Sequence, residues 1–367
     1  MKITRITVWD RPLTSLATYY MADGKTCDTV SSIVIKVDTD QGISGWGEVC
    51  PIPHYLPAYS DGVLPALEYM APVLIGADPL GAAALHQKMS QFLIGHPYAK
   101  SPVDIACWDI TAKAANMPLY QLLGGLQQKT MPVYHSLTCI EPDEMARMAK
   151  EAHSQGVTQF QVKLGADRNN EADIARLSKV REVVSKGHLV YGDWNCGAST
   201  LDATRVGRAV RHLDIMLEQP CATIEECADV RRATGLAMKL DENAHDTASL
   251  LAGAAAGCMD AVALKLSKFG GLTPMMRARD LCMHLGAKMC IEDTWGSDIT
   301  TSAAFHLGAS TPMRHILNVC DLVSYTTPRL WPDGPVRKDG HFSVPEGVGL
   351  GVEIDPDSLG TPIGILD

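Results

Sequence analysis

Phe160-Gln161-Val162-Lys163 and Val262-Ala263-Leu264-Lys265 bracket the stretch of chain that decides the fold. Between them Asp193, Glu218 and Asp241 each close a short apolar run. These five charged residues follow one another at steps of 30, 25, 23 and 24 residues. Such a step holds one strand, one helix and two loops, so the spacing predicts parallel strands alternating with helices. In a parallel barrel the C-terminal strand ends converge on one mouth, where the chemistry of such folds is found. Three carboxylates there, flanked by two amines, suggest a divalent metal ion with a base on each side.

The rhythm extends in both directions. Strand-like runs end near His135, Lys163, Asp193, Glu218, Asp241, Lys265, Glu292 and Asn318, with helical patterns between them. Seven or eight such units predict a (β/α) barrel over residues 126–321. Residues 1–125 break the rhythm. Ile3 to Trp9 and Ser32 to Val37 alternate like antiparallel strands. Helical patterns follow around Val63 to Leu74, Leu85 to Leu93 and Val103 to Leu123, the last stopping at Gly124-Gly125. This is an α+β module. Residues 14–28, around Ala22-Asp23-Gly24, read as a surface loop or a mobile lid over the pocket. Beyond Asp321 the rhythm stops, and residues 322–367 read as strand and turn returning to the N-terminal module.

Composition narrows the classes. A chain of 367 residues with 46% hydrophobic and 20% charged content has ample core for a barrel and a smaller partner. The net charge of −10, without a basic cluster, argues against nucleic-acid or anionic-membrane partners. No apolar stretch approaches the roughly 20 residues of a membrane span. The eleven cysteines form no C-x-x-C pair and many lie in apolar runs, which suits a reduced, cytoplasmic protein. MKITRITVWD has no apolar signal region.

The carboxylates suit Mg²⁺, which takes oxygen ligands in octahedral geometry. Lys163 and Lys265, buried in a barrel mouth, are expected to have lowered pKa values suited to proton transfer. Asn195 and Glu242 are candidates for outer or minor metal contacts, and Lys268 for a structural or solvated role. A Schiff-base aldolase using either lysine, and a binding protein on a degenerate barrel, are the alternatives of other classes. The three spaced carboxylates speak against the first. The presence of every acid and lysine speaks against the second.

In order, Lys163, Asp193-x-Asn195, Glu218-Gln219-Pro220, Asp241-Glu242 and Lys265 resemble the muconate-lactonizing-enzyme subgroup of the enolase superfamily. Gly42-x-x-Gly45-x-Gly47-Glu48, Asp104-Ile105-Ala106-Cys107-Trp108-Asp109 and Leu122-Leu123-Gly124-Gly125 are similar to its capping domain. The resemblance implies a modified TIM-like (β/α)7β barrel under a cap built from the N-terminal region and the C-terminal tail. It implies one Mg²⁺ per subunit on Asp193, Glu218 and Asp241, and a small-molecule carboxylate as substrate. Lys163 and Lys265 would remove and return its α-proton through an enediolate, as a racemase or epimerase does. By analogy the chain would form a homo-oligomer, a dimer or an octamer.

One position departs from the subgroup, which usually shows Lys-x-Lys where this chain has Gln161-x-Lys163. Together with Glu292-Asp293-Thr294-Trp295, this resembles the branch of 4-hydroxyproline betaine 2-epimerase (proline betaine racemase). Substrate contacts are expected from Tyr55, Gln161, Glu292, Asp293 and Trp295, with Trp194 as a further wall of an aromatic cage for a quaternary amine. Asp321, beyond Leu317-Asn318, would instead suit a protonated amine. The related cis-3-hydroxyproline dehydratases share the scaffold and expel a β-hydroxyl after the same first step. Dipeptide epimerases and cycloisomerases are further alternatives.

Overall fold

Buried Ile3, Ile6 and Val8 lie on β1 (Ile3–Asp10), and Ile33, Ile35 and Val37 on β4 (Ile33–Thr39), so the two strands share an apolar face. The computed structural model describes residues 1–367. Between these strands lie β2 (Leu13–Tyr20) and β3 (Thr26–Val30), and after them β5 (Ser44–Val49). The expected loop or lid at residues 14–28 is therefore an antiparallel hairpin. Its strands escape a sequence reading because β2 buries only Leu13 and Tyr19. Helices Val63–Leu74, Ala82–Phe92 and Pro97–Ala114 complete the N-terminal module. The helix expected to run to Leu123 stops at Ala114 and resumes only as Leu119–Leu122, because Asn116 takes a left-handed conformation (φ 53°) and Pro118 follows.

The glycines of Gly45-x-Gly47 serve close packing. A Cβ at Gly47 would lie 1.9 Å from the Pro102 carbonyl oxygen, and one at Gly45 would lie 2.2 Å from that of Ala106. Without side chains there, β5 lies directly against the helix Pro97–Ala114.

After β6 (Thr130–Pro132), eight parallel strands follow in chain order and lie side by side in that order. They are β7 (His135–Leu137), β8 (Gln159–Lys163), β9 (Leu189–Asp193), β10 (Met216–Glu218), β11 (Ala237–Leu240), β12 (Ala261–Lys265), β13 (Lys288–Glu292) and β14 (Ile316–Val319). Helices connect them, and the sheet curls into a TIM-like barrel. The first strand begins at His135 rather than ending there, because the preceding apolar residues belong to β6 and its turn. From the start of β8, the Gln159 side chain reaches β14 at the far edge of the sheet order, donating to the Leu317 carbonyl (2.9 Å) and accepting from Asn318 Nδ2 (2.8 Å).

The tail divides its contacts. β15 (Thr326–Thr327) pairs with β2 and β17 (Gly364–Leu366) with β1. β16 (His341–Ser343) instead pairs with β6 beside the barrel. No single helix is long and apolar enough to cross a membrane.

Glu48, on β5, fastens the cap to the barrel. Its buried carboxylate accepts from the Ser297 and Thr300 backbone N–H groups (2.9 and 3.0 Å) and from the hydroxyls of Ser32, Ser297 and Thr300. It thereby occupies the N-terminus of the helix Asp298–Ala309, where the helix dipole favours an anion.

Candidate active site

Register brings the charged residues together. Lys163 pairs across the ladder with Asp193, Asp193 with Glu218, Glu218 with Lys239, and Lys265 with Glu292. Asp193 and Glu218 close β9 and β10, and Asp241 follows the last residue of β11. Lys163 closes β8 on one side of this trio and Lys265 closes β12 on the other. Four strand positions separate the two lysines in an eight-stranded sheet, so they face each other across the mouth.

Each buried carboxylate holds a cation. Lys163 Nζ donates to Asp193 Oδ2 (2.6 Å) and to Asn195 Oδ1 (2.9 Å). Lys265 Nζ donates to Asp241 Oδ2 (2.6 Å), and Lys268 Nζ to Asp241 Oδ1 (3.0 Å). Lys268 is thus buried and structural rather than solvated. Lys239 Nζ lies 2.8 Å from Glu218 Oε1, off the line of a straight hydrogen bond. Gln161 donates through Nε2 to both Asp193 Oδ2 (3.0 Å) and Glu218 Oε2 (2.8 Å), and accepts from Ser136 Oγ (2.7 Å). Gln161 lines the pocket, yet its amide is turned to the carboxylates. Asn195 passes the Lys163 contact on to Glu242, whose Oε1 accepts from Asn195 Nδ2 (3.0 Å).

The lysine pKa values run opposite to expectation. Burial alone would lower Lys163 and Lys265, but the ion pairs with Asp193 and Asp241 outweigh it and hold both above the usual lysine value. Burial does dominate at Lys268, which is lowered despite Asp241. Glu218 is raised, because burial and the neighbouring Asp193 and Asp241 exceed the pull of Lys239. Burial also pushes Asp293 up to about 6, against hydrogen bonds from Ser267 and Thr294.

Between the lysines lies a cavity of about 50 Å³. The Tyr55 ring caps it from the N-terminal module, its hydroxyl directed at Met21 Sδ. Trp295 lines it and meets Tyr19 edge-on, with centroids 5.4 Å apart. Glu292 and Asp293 also line it. Tyr134 donates to Glu292 Oε2 (2.6 Å), while Asp293 is held by the Ser267 and Thr294 backbone N–H groups. Tyr19, Tyr134 and Tyr325 complete the aromatic wall, and the sequence reading missed all three. Lys239 was missed as well.

Two expected contacts lie elsewhere. Trp194 turns away from the cavity and donates from Nε1 to Asp173 Oδ2 (3.1 Å). Asp321 is fully buried outside the cavity and is held by Arg337 through two hydrogen bonds (2.6 and 2.8 Å). Its charge is already matched, so it does not wait for a substrate amine.

The donor chemistry fits a hard divalent cation. Asp193, Glu218 and Asp241 offer only carboxylate oxygens from neighbouring strand ends, the set Mg²⁺ prefers over softer ligands. Each is paired with a lysine of its own, and the three do not converge as a closed cage. A cation would take over contacts that Lys163, Lys265 and Gln161 now make.

Comparison with known proteins matches both parts of the chain. Residues 4–124 match the mandelate racemase/muconate lactonizing enzyme N-terminal domain, and residues 144–358 the enolase C-terminal domain-like family. The cis-3-hydroxy-L-proline dehydratase of Roseibium aggregatum is 41% identical, over 99% of both chains. The N-succinyl-L-Arg/Lys racemase of Bacillus cereus is 31% identical, over 98% of this chain and 97% of its own. A solved structure of an enolase-superfamily member from Roseovarius nubinhibens, complexed with magnesium, superposes with a TM-score of 0.94. It is 35% identical and the match covers 100% of this chain and 99% of the other.

Proposed function

Because the chain belongs to the mandelate racemase/muconate lactonizing enzyme family of the enolase superfamily, we propose that it removes the α-proton of a small cyclic amino-acid carboxylate. We further propose that the substrate is a cis-3-hydroxyproline, which then loses its 3-hydroxyl as water. The observation that carries the first step is the placement of Lys163 and Lys265 on opposite sides of one compact cavity. The second step rests on the 41% identity to a cis-3-hydroxy-L-proline dehydratase.

Asp193, Glu218 and Asp241 would hold Mg²⁺, which when bound supplies charge stabilisation to the substrate carboxylate and its enediolate. One lysine, released from its carboxylate and deprotonated, takes the α-proton. The C3–O bond then breaks, and the hydroxyl leaves with a proton as water. Carbon 2 and carbon 3 become doubly bonded, so no oxidant or reductant is consumed. Asn195 steadies the Lys163 ammonium, and Glu242 steadies Asn195. Tyr55 closes the cavity against water. Beside Asp241, the cavity is lined by the acids Glu292 and Asp293, which would suit the substrate amine.

Racemisation or epimerisation of a proline betaine is the second reading. Aromatic side chains around the cavity favour it, because a quaternary ammonium is held by ring faces. Cytoplasmic residence and homo-oligomerisation belong to the same proposal. Eleven unpaired cysteines, ten of them buried, support the former.

NMR in D₂O with Mg²⁺ tests these readings. With cis-3-hydroxy-L-proline, loss of the C3 carbinol signal is expected. α-Deuteration with inversion and no elimination would replace dehydration by racemisation. No exchange with hydroxyprolines, proline or their betaines would overturn the substrate class. EDTA is expected to prevent every one of these changes.

A further inference from the structure

Lys239 is a lysine with no route to solvent. It sits on β11, two residues before Asp241, and points into the barrel beneath the mouth with no exposed surface. It does not line the cavity between the catalytic lysines. Its ammonium lies over the faces of Tyr191 and Tyr134, 5.0 and 5.6 Å from the ring centroids. The nearest anion is Glu218 Oε1 at 2.8 Å, and Glu292 Oε1 follows at 3.9 Å. Burying a lysine is costly unless its charge is met, and here the two tyrosine faces and Glu218 meet it.

The two oxygens of Glu218 are therefore divided. Oε1 is turned down toward Lys239 and has no hydrogen-bond donor. Oε2 is turned toward the mouth, where Gln161 donates to it. Gln161 also reaches Asp193, so Oε2 lies on the side facing the other carboxylates. The neighbouring lysines differ in this respect. Lys163 and Lys265 line the cavity, whereas Lys239 lies against two rings outside it.

We propose that Lys239 is a positioning residue that limits Glu218 to one metal-facing oxygen, and so makes the carboxylate trio select a small octahedral cation over Ca²⁺. The inference rests on the metal site proposed above. Mg²⁺ requires six ligands in near-ideal octahedral geometry, and one-oxygen carboxylates supply it. Ca²⁺ takes six to eight oxygens and is favoured by carboxylates that offer both. An ammonium fixed behind one oxygen removes the second from use.

Isothermal titration of the full chain with MgCl₂ and with CaCl₂, in the absence of substrate, tests the proposal. The wild type is expected to prefer Mg²⁺. In Lys239→Met the apolar side chain fills the space between the rings and frees Oε1. The ratio of Ca²⁺ to Mg²⁺ affinity is then expected to rise about tenfold, the lower end of the effect usual for groups that orient metal ligands. Lys239→Gln keeps a polar N–H group behind Oε1 without the charge and is expected to keep the wild-type ratio. Lys239→Leu carries the same test should the methionine variant not fold. An unchanged ratio in the methionine or leucine variant would overturn the proposal. So would an equal shift in the glutamine variant, because the effect would then follow charge rather than the occupied oxygen. If the wild type bound neither ion, the metal site itself would fall, and this inference with it.

Discussion

Lys163 Nζ and Lys265 Nζ lie 5.7 and 5.6 Å from the centroid of the Tyr55 ring, so one aromatic side chain from the N-terminal module spans the two amines of the barrel. The ring is well placed to exclude water from both while leaving room for a compact ligand beneath. Its own hydroxyl is pushed up to about 12 by burial, against the pull of the two lysines, so it stays protonated at neutral pH.

Removing either amine tests which of the two takes the α-proton. Lys163→Ala and Lys265→Ala are each expected to lower turnover by about 10²–10⁴, the usual contribution of a positioned acid or base. One of the variants should still exchange the α-proton of a single enantiomer in D₂O. NMR exchange rates with both enantiomers check this. Normal turnover in both variants would remove the lysines from the mechanism.

Truncating Tyr55 tests its closing role. Tyr55→Ala is expected to lower kcat/KM by about tenfold to a hundredfold through lost positioning and admitted water. Tyr55→Phe keeps the ring and loses only the hydroxyl contact with Met21, so it should stay within a few-fold of wild type. Steady-state kinetics of the pair decide whether the ring or the hydroxyl matters.

Glu48→Ala leaves two backbone N–H groups and three hydroxyls facing a void between cap and barrel. Unsatisfied buried donors cost about 1–3 kcal/mol each, relieved in part by water and by rotation of the hydroxyls. A net loss of about 3 kcal/mol or more is expected in urea denaturation. A loss below about 1 kcal/mol would mean that the interface does not depend on this carboxylate.

His306 supplies a pH dependence with a definite sign. It accepts at Nδ1 from the Tyr120 backbone N–H (3.1 Å), and its Nε2 lies 3.0 Å from the Leu350 carbonyl. This is a neutral imidazole, and burial lowers its pKa to about 4 from the ordinary 6.5. The folded state therefore disfavours the proton. The stability this residue contributes is complete above about pH 6.5 and falls toward pH 4 by about 1.4 kcal/mol per pH unit. The stability deficit of His306→Gln is expected to be larger at pH 7.5 than at pH 4.5. An equal deficit at both values would contradict a neutral His306.

What was legible in the chain followed from period and position. Lys163, Asp193 and Glu218 close apolar runs one strand and one helix apart, and Lys265 closes another two such units on, which is the arithmetic of strand ends at one mouth. Tyr19 was hidden because β2 is a partly exposed hairpin strand that shows little apolar alternation. Tyr134 and Tyr325 flank short strands, where an aromatic residue is indistinguishable from core. Lys239 lies inside an apolar run, and nothing local tells whether such a lysine points outward to solvent or inward to a carboxylate. Asp321 was misread because its partner Arg337 comes from an irregular stretch sixteen residues later. The lysine pKa values followed the same logic, since burial was foreseeable and the ion pairs that reverse its effect were not.

Arg337 has one more consequence. It joins Asp321 just past the last barrel strand to the Tyr134 carbonyl just before the first, and its Nη2 also donates to the Tyr325 hydroxyl (3.2 Å) in the cavity wall. The C-terminal segment therefore acts as a rivet across the opening edge of the cylinder. Trimming the protein there to obtain a minimal catalytic unit would strip a buried acid of its counter-charge and loosen one side of the ligand chamber in a single cut.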